Sequence, residues 1–446
     1  MATVFALLFA QAVPISFVSN TLPIIYRSHG LELSNFWVFS LPLVPRWLKW
    51  LIAPAIDRYM PLPIGRRRSW ILLGTLVGAC GYGSLTLWQP TQASLYMIVA
   101  VLTVTAVAMT LQDIAVDGYT VESFSPHEAK FSGPLLSGVA FASLIFASAV
   151  VGVVYDSFGW SSAVACVIAA LILGTLPAIL RAEPIAESLR QHAEQRNGKP
   201  SLMKVFTRSN ALRFIAVFAL EAFYGSFTYG LYSVMLVDKG LSVGQIGIAT
   251  GSGVGLGLLL GTIGTTLLFL RFSTKQLCLI ALIGVAGAHG IEVYVTTLDA
   301  VSMTTAIVTF FVADLLVAPL FALSTSLRIR WTSRRQAGTD FATLSSVRAM
   351  GDSLAGVTSG FAAQWLGWTA FFGVGMVFGV LVCIALFLLH DRMEATLRAE
   401  EEADRGLAAE AATDQTALAA PLSGPAATAT LPPSSCSSAA PMAPKP

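Results

Sequence analysis

Apolar stretches of about 20 residues recur along this chain, centred near residues 14, 45, 79, 106, 144, 170, 224, 256, 286, 313, 354 and 379. A stretch of about that length crosses a hydrocarbon core of about 30 Å. In lipid a backbone amide finds no water, so each stretch must satisfy its own amides and reads as a helix. The expectation is an all-α polytopic membrane protein with twelve transmembrane helices. Composition points the same way, with 55% hydrophobic and 12% charged residues; the latter is about half the share a soluble surface carries. Gly 37 and Phe 26 suit helices packed closely in a bilayer. Disorder over the bulk of the chain, collagen and a coiled coil are excluded on the same grounds. A net charge of +2 offers no concentrated basic face, so no nucleic-acid partner is expected.

Cys80, Cys166, Cys278, Cys383 and Cys436 are scattered without CxxC spacing, which suggests packing residues rather than a zinc site or disulfide framework. Met1 leads directly into an apolar run, so no cleavable signal is expected. The first span also lacks a basic flank, and the start is open to truncation.

Lys and Arg fix an orientation. With the N-terminus inside, the inner loops hold Arg58, Arg66, Arg67 and Arg68; Lys130; a dense group from Arg181 to Arg213; Arg271 and Lys275; and Arg328, Arg330, Arg334 and Arg335. The outer loops hold Arg27 and Lys239. This asymmetry follows the positive-inside rule and places both termini in the cytoplasm.

The polar stretch between the sixth and seventh spans divides the chain into a bundle over 1–181, a linker over 182–210, and a bundle over 211–392. A repeat supports that division. Gly152 to Trp160 and Gly360 to Trp368 share the form G-x6-GW, as equivalent helix-to-helix turns in parallel halves would. The tail over 393–446 begins acidic and Ala-rich and ends rich in Pro, Ser and Ala, the composition of a frayed helix followed by disorder.

The most specific string is IDRYMPLPIGRRRSW, Ile56 to Trp70. Asp57 ends one helix, Arg58 follows, and Gly65 allows a tight turn into Arg66, Arg67 and Arg68. This resembles the D-R-x-G-R-R element between the second and third helices of the major facilitator superfamily. The resemblance implies a gate, since an acid facing guanidiniums at a partly dry interface latches two moving bundles. LQDIAVDGYTVES closes the fourth span, and AGTDFATLSSVRAMGDSLAGVTSGFAAQWLGW lies near the end. With PRWLKWLIAPAIDRY these are similar to the permease family that contains muropeptide permeases and, more distantly, the acetyl-coenzyme A transporters of endomembranes. Siderophore importers of the pyochelin and rhizobactin type are also similar. The seventh span departs, showing Glu221 and then FYGSFTYG in place of the lysine and acid of muropeptide permeases.

Charges inside spans cost about 2.5–3.5 kcal/mol each at a helix centre, so they mark function. Asp113 and Asp117 share one helix face, as do Arg46 and Lys49. At 1.5 Å per residue, Lys49 lies about 12 Å above Asp57 and Asp113 about 13.5 Å above Glu122. The matching depths predict that Lys49, with Arg46, pairs with Asp113. In the second half Glu221, Asp314 and Asp352 sit near mid-span, with Arg348 one turn from Asp352. A carboxyl group moved between wet and dry surroundings can exchange a proton. Arg348 is expected to hold Asp352 ionised, leaving Glu221 and Asp314 to couple protons. Tyr224, Tyr229 and Tyr232 on the seventh span are expected at the substrate cavity, because the first helix of each half lines it in the superfamily that the chain resembles, and Gln112 on the fourth span is expected there with them.

The run GSGVGLGLLLGTIG reads as a close-packing face rather than a nucleotide loop. His289 and His127 lack partners at metal spacing and read as a packing and a loop residue. The expectation is therefore a non-enzymatic secondary transporter in a bacterial cytoplasmic membrane, with a small-molecule solute and the lipid bilayer as its partners. No metal and no cofactor are expected; the proton gradient supplies energy, and the chain is expected to be a monomer. The resemblance implies uptake of a muropeptide or related anionic conjugate, with a siderophore as the alternative. An intramembrane acyltransferase would need a His/Asp or metal-ligand constellation at one membrane face, which the sequence does not show. A channel would need a repeated ring of pore residues.

Overall fold

The computed structural model describes residues 2–49, 51–52, 56, 59–123, 132–180, 207, 210–331 and 337–419. Among them the regular elements are helices: α1 (Thr3–Ser28), α2 (Leu33–Leu48), α3 (Arg66–Ser84), α4 (Leu95–Ser123), α5 (Phe141–Phe158), α6 (Trp160–Leu180), α7 (Ala211–Asp238), α8 (Val243–Arg271), α9 (Thr274–Thr296), α10 (Met303–Trp331) and α11 (Ala337–Ala419). Internal contacts gather Met1–Leu397 into one unit and Arg398–Pro446 into another. Leu87, Val104, Leu173, Leu270 and Leu388 stand exposed on the helices. Apolar surface of this extent belongs against acyl chains, and the chain is an integral membrane protein.

Ten helices among the described residues are long and apolar enough to cross a membrane. The sequence expectation of twelve differs in two places. The second expected span is α2, whose 16 residues wind as a tight 3-10 helix containing Pro42 and Pro45. At about 2.0 Å per residue such a helix reaches about 32 Å, so it is long in space while short in sequence. The last two expected spans run together as α11, broken at Gly367, whose φ of 72° is non-helical.

Gly367 belongs to the G-x6-GW repeat, and its counterpart Gly159 has φ 80°. Both allow the chain to reverse where a side chain would be strained. The first glycine of each repeat does something else. Gly152 on α5 approaches the carbonyl of Val243 on α8, where an added Cβ would lie 3.1 Å from that oxygen. Gly360 on α11 approaches Leu33 and Phe36 on α2, where a Cβ would lie 3.0 Å from the Phe36 Cβ. Each half therefore offers a small residue to the other at an equivalent place. Lipid tails are as apolar as leucine, so close approach of this kind, rather than burial, holds helices together in a bilayer.

Two wide helical turns, Phe17–Thr21 and Phe146–Val150, also meet. A wide turn upsets the regular amide ladder, and the Thr21 hydroxyl donates to the Ala147 carbonyl at 2.7 Å.

The apolar core changes along the molecule. Toward the end bearing Arg27 and Asp238, one cluster joins both halves, running from Phe17 and Trp160 to Met235, Val243, Phe371 and Phe372. Toward the end bearing Arg66 the core divides. One cluster packs Leu7, Ile71, Ile114 and Ala178 of the first half, and another packs Phe214, Trp331 and Leu386 of the second.

Candidate functional site

Charged side chains occupy the region where the shared core gives way to two. On α4, Asp113 and Asp117 are one turn apart; Asp113 is buried, whereas the Asp117 side chain is 58% exposed. Lys49 closes α2 and reaches both acids, with Nζ 2.5 Å from Asp113 Oδ2 and 2.9 Å from Asp117 Oδ2. Arg46 Nε stands 3.8 Å from the same Asp113 oxygen. The structure thus brings together the groups that depth counting paired.

In the second half Arg348 lies between two acids. Its Nη1 is 3.7 Å from Glu221 Oε2 and its Nε is 3.7 Å from Asp352 Oδ2. Ser226 donates to Asp352 Oδ1 at 2.8 Å. From the sequence, Arg348 is expected to hold Asp352 ionised and leave Glu221 to couple protons; the guanidinium stands as close to Glu221 as to Asp352, so both acids share one cation. Arg328 is within electrostatic reach of Glu221 and Asp352, and Arg46 acts on Asp352 across the boundary between the halves. Trp47 Nε1 donates to Ser353 Oγ across that same boundary at 3.2 Å. The result is one array, with Arg46, Lys49, Asp113 and Asp117 facing Glu221, Arg328, Arg348 and Asp352.

A cavity flanks the array in each half. The first, with ≈ 490 Å³ of open space, is lined by Gln11, Pro14, Arg46, Tyr82, Thr110 and Asp113 among others. The second, with ≈ 500 Å³, lies among α7, α9 and α10 and is lined by Tyr224, Tyr229, Tyr232, His289, Glu292 and Asp314. The three tyrosines thus line a cavity inside the second half. Gln112 lines neither: it is fully buried and donates to Thr75 Oγ1 on α3 at 3.0 Å. Adjacent helical residues point about 100° apart, so when Asp113 faces inward its neighbour faces α3.

His289 was expected to be an isolated packing residue. It is bonded on both ring nitrogens, with Nδ1 2.6 Å from Glu292 Oε2 and Nε2 2.8 Å from the Tyr224 hydroxyl oxygen. The signal was present as His-x-x-Glu, which places both on one face of an apolar helix. Reading histidines only as metal ligands passed over it.

The gate residues divide. Asp57 and Arg58 lie outside the described residues. Gly65 has φ 118° and opens α3. Arg66 is the first residue of α3. Arg67 packs its guanidinium over Gly118 of α4, where an added Cβ would sit 2.6 Å from Nε. Arg68 donates to Ile64 O at 2.9 Å and to Ile179 O near the end of α6. Both arginines thus engage their own half.

At the opposite end, residues to which the sequence reading gave no gating role join the halves. Arg27 Nε and Nη2 each donate to Asp238 at 2.7 Å, and Trp368 Nε1 donates to Asp238 Oδ2 at 2.9 Å. Asp156, at the end of α5, accepts from Ser242 Oγ at 2.5 Å and from Gly244 N at 2.8 Å. It thereby sits on the N-terminus of α8, where the helix dipole favours a negative charge.

Two helical halves closed on each other at one end, with opposed charges and cavities between membrane-spanning helices, have the architecture of a membrane transporter. The chain belongs to the major facilitator superfamily, whose family model matches residues 4–312. It is 25% identical over 397 residues to the anhydromuropeptide permease of Escherichia coli (strain K12), covering 87% of this chain and 79% of the relative. The fold is similar to that of a crystal structure of the peptide transporter POT in complex with sulfate, with TM-score 0.66 and 11% identity over 88% of this chain and 94% of that one. The nucleoside transporter NupG is also similar, with TM-score 0.63 and 13% identity over 86% of this chain and 97% of the other.

Proposed function

We propose that this transporter carries a large polar solute bearing both carboxylate and ammonium groups, a sugar–peptide conjugate of the muropeptide kind, inward across a bacterial cytoplasmic membrane with protons. The observation that carries the reading is the array shared by the two halves. Four cations and four acids, placed on facing helices, match a solute with charges of both signs better than a neutral sugar. Such a solute exchanges its charges with groups already paired to one another, so binding need not leave a bare ion in a dry site. The similarity to an anhydromuropeptide permease over most of both chains supports the same solute class.

Alternating access follows from the division of the core. The halves meet through Arg27, Asp238, Asp156 and Ser242 at one end, and their cores separate at the other. Rocking about the array would open the first end and close the second. The Lys and Arg counts support a cytoplasmic position for the separated end.

The test is uptake of radiolabelled anhydromuropeptide into proteoliposomes holding the purified chain. Saturable uptake that follows an imposed inward proton gradient and collapses with a protonophore is expected. No uptake of this probe, with transport of a ferric siderophore under the same gradient, would replace the solute.

A further inference from the structure

The second cavity holds two carboxyl groups and one group able to balance them. Glu292 and His289 are one helical turn apart on α9 and 2.6 Å from each other. Asp314 enters from α10 and is within electrostatic reach of Glu292. All three side chains are buried. Among the described residues the lining carries no Lys or Arg.

The described cations of the surrounding elements stand elsewhere: Arg328 of α10 and Arg348 of α11 act on Glu221, and Lys275 of α9 pairs with Asp391. α7 brings Tyr224, Tyr229 and Tyr232, with Glu221 beyond Tyr224, and α11 brings Cys383 within reach of Tyr224. On α9 Tyr294 follows Glu292 and is exposed, and toward the other end Cys278 interacts with Cys383. α8 packs on α10 through Gly257, whose added Cβ would lie 3.0 Å from Asp314 Cβ, and it has no titratable residue before Arg271. Glu221 already has Arg348 beside it.

Charge counting then limits what the cavity can hold. One imidazole can offset one carboxylate at most, so ionising both Glu292 and Asp314 would leave at least one uncompensated negative charge out of water. A single additional cation restores neutrality, and the space beside Asp314 and Glu292 is where it must reside.

We propose that the cavity formed by His289, Glu292, Asp314 and Tyr224 is a binding site for one proton, separate from the charged array that meets the solute. The inference rests on the reading of the protein as a coupled carrier and names the place of coupling. The proton is held as the O–H of a carboxyl group, and its departure leaves a carboxylate and one net negative charge. Tyr224 links the two sites, since its hydroxyl oxygen is 2.8 Å from His289 Nε2 and it lies within electrostatic reach of Glu221. Loss of the proton is therefore felt at the acid that shares Arg348 with Asp352.

Infrared difference spectroscopy on the purified full chain in lipid nanodiscs, without solute, tests this between about pH 5 and about pH 9. The quantity read is the amplitude of the protonated-carboxyl C=O band at neutral pH. Asp314→Asn removes the group that needs the proton and should lower the amplitude by one carboxyl. Glu292→Gln frees the imidazolium to balance Asp314 and should also lower it by one, or by the same amount as Glu292→Met if the glutamine variant is not monodisperse. His289→Gln removes the one basic side chain of the described lining and should raise it by one. A purely structural cluster would not move in opposite directions, and an unchanged amplitude in any of the three overturns the proposal. Replacing choline chloride with sodium chloride at fixed pH should leave the band intact; its loss would make the ligand sodium and overturn the proton assignment. Because no solute is present, the outcome is independent of whether anhydromuropeptide is transported.

Discussion

Lys49 illustrates what a single side chain does in this protein. Its ammonium is the nearest cation to Asp113, at 2.5 Å, and Asp113 is almost wholly buried. Removing one partner of a buried pair costs up to about 3–5 kcal/mol, of which Arg46, 3.8 Å from the same oxygen, offsets a part here. Lys49→Met should therefore lower the thermal unfolding midpoint in detergent markedly, and Lys49→Met with Asp113→Leu should recover most of it. Equal midpoints for the single and double variants would show that the pair is not what holds α2 to α4. Uptake should stay lost in the double variant if the pair meets the solute. The exposed end differs. Arg27 and Asp238 are about a fifth to a quarter exposed, so the pair is worth about 0–1 kcal/mol to stability. Asp238→Asn should change the midpoint little while increasing the rate at which that end opens, read as faster amide exchange in the turns after Ser28 and Asp238. What was legible at this scale was depth. Counting residues along α2 and α4 placed Lys49 level with Asp113, whereas rotation about the helix axis was not legible, and so Gln112 was set at a cavity it does not face. His289 escaped because its partners, Glu292 three residues on and Tyr224 on another helix, have meaning only once a fold brings α7 against α9.

Among elements, the two glycines that open the G-x6-GW repeats carry the contact between halves. Gly360 lets α11 approach α2, and Gly152 lets α5 approach α8. With no hydrophobic driving force between helices in lipid, a side chain at either place costs packing that burial does not return. Gly360→Val should push α11 from α2 and shift the population away from the state closed at the Asp238 end. Hydrogen–deuterium exchange should then accelerate in α2 near Leu33 and at the turn around Trp368, with α3 and α4 unchanged. Unchanged exchange near Leu33 would count against this role. The repeat was visible in the sequence because both turns need a glycine of positive φ followed by an anchoring tryptophan. The winding of α2 was not visible. Pro42 and Pro45 remove two amide donors, but a sequence pattern does not say whether the helix kinks or tightens in response. Here it tightens, and 16 residues cover the depth that a regular helix covers with about 20.

For the whole molecule, the argument turns on which end faces the cytoplasm. The structure joins the halves at the end where α1 and α7 finish and separates their cores where α3 begins. Arg66, Arg67, Arg68, Arg271 and Lys275 all lie at or beside the separated end, and Arg27 and Lys239 at the joined one. Positive charge resists translocation, so the separated end should be cytoplasmic and the described state open inward. Single cysteines placed by Ser201→Cys, in the stretch between the halves, and Thr297→Cys, at the turn after α9, in a chain whose native cysteines are replaced by alanine, decide it. A membrane-impermeant maleimide added to intact cells should label Thr297→Cys and spare Ser201→Cys, and inverted vesicles should reverse the pattern. Labelling of Ser201→Cys in intact cells would turn the molecule over, making the same closed end cytoplasmic and the same array one that loads from within. The direction proposed for the solute would then reverse, while the pairing of Lys49 with Asp113 and the charge count of the second cavity would stand, because neither depends on which side of the membrane supplies the water.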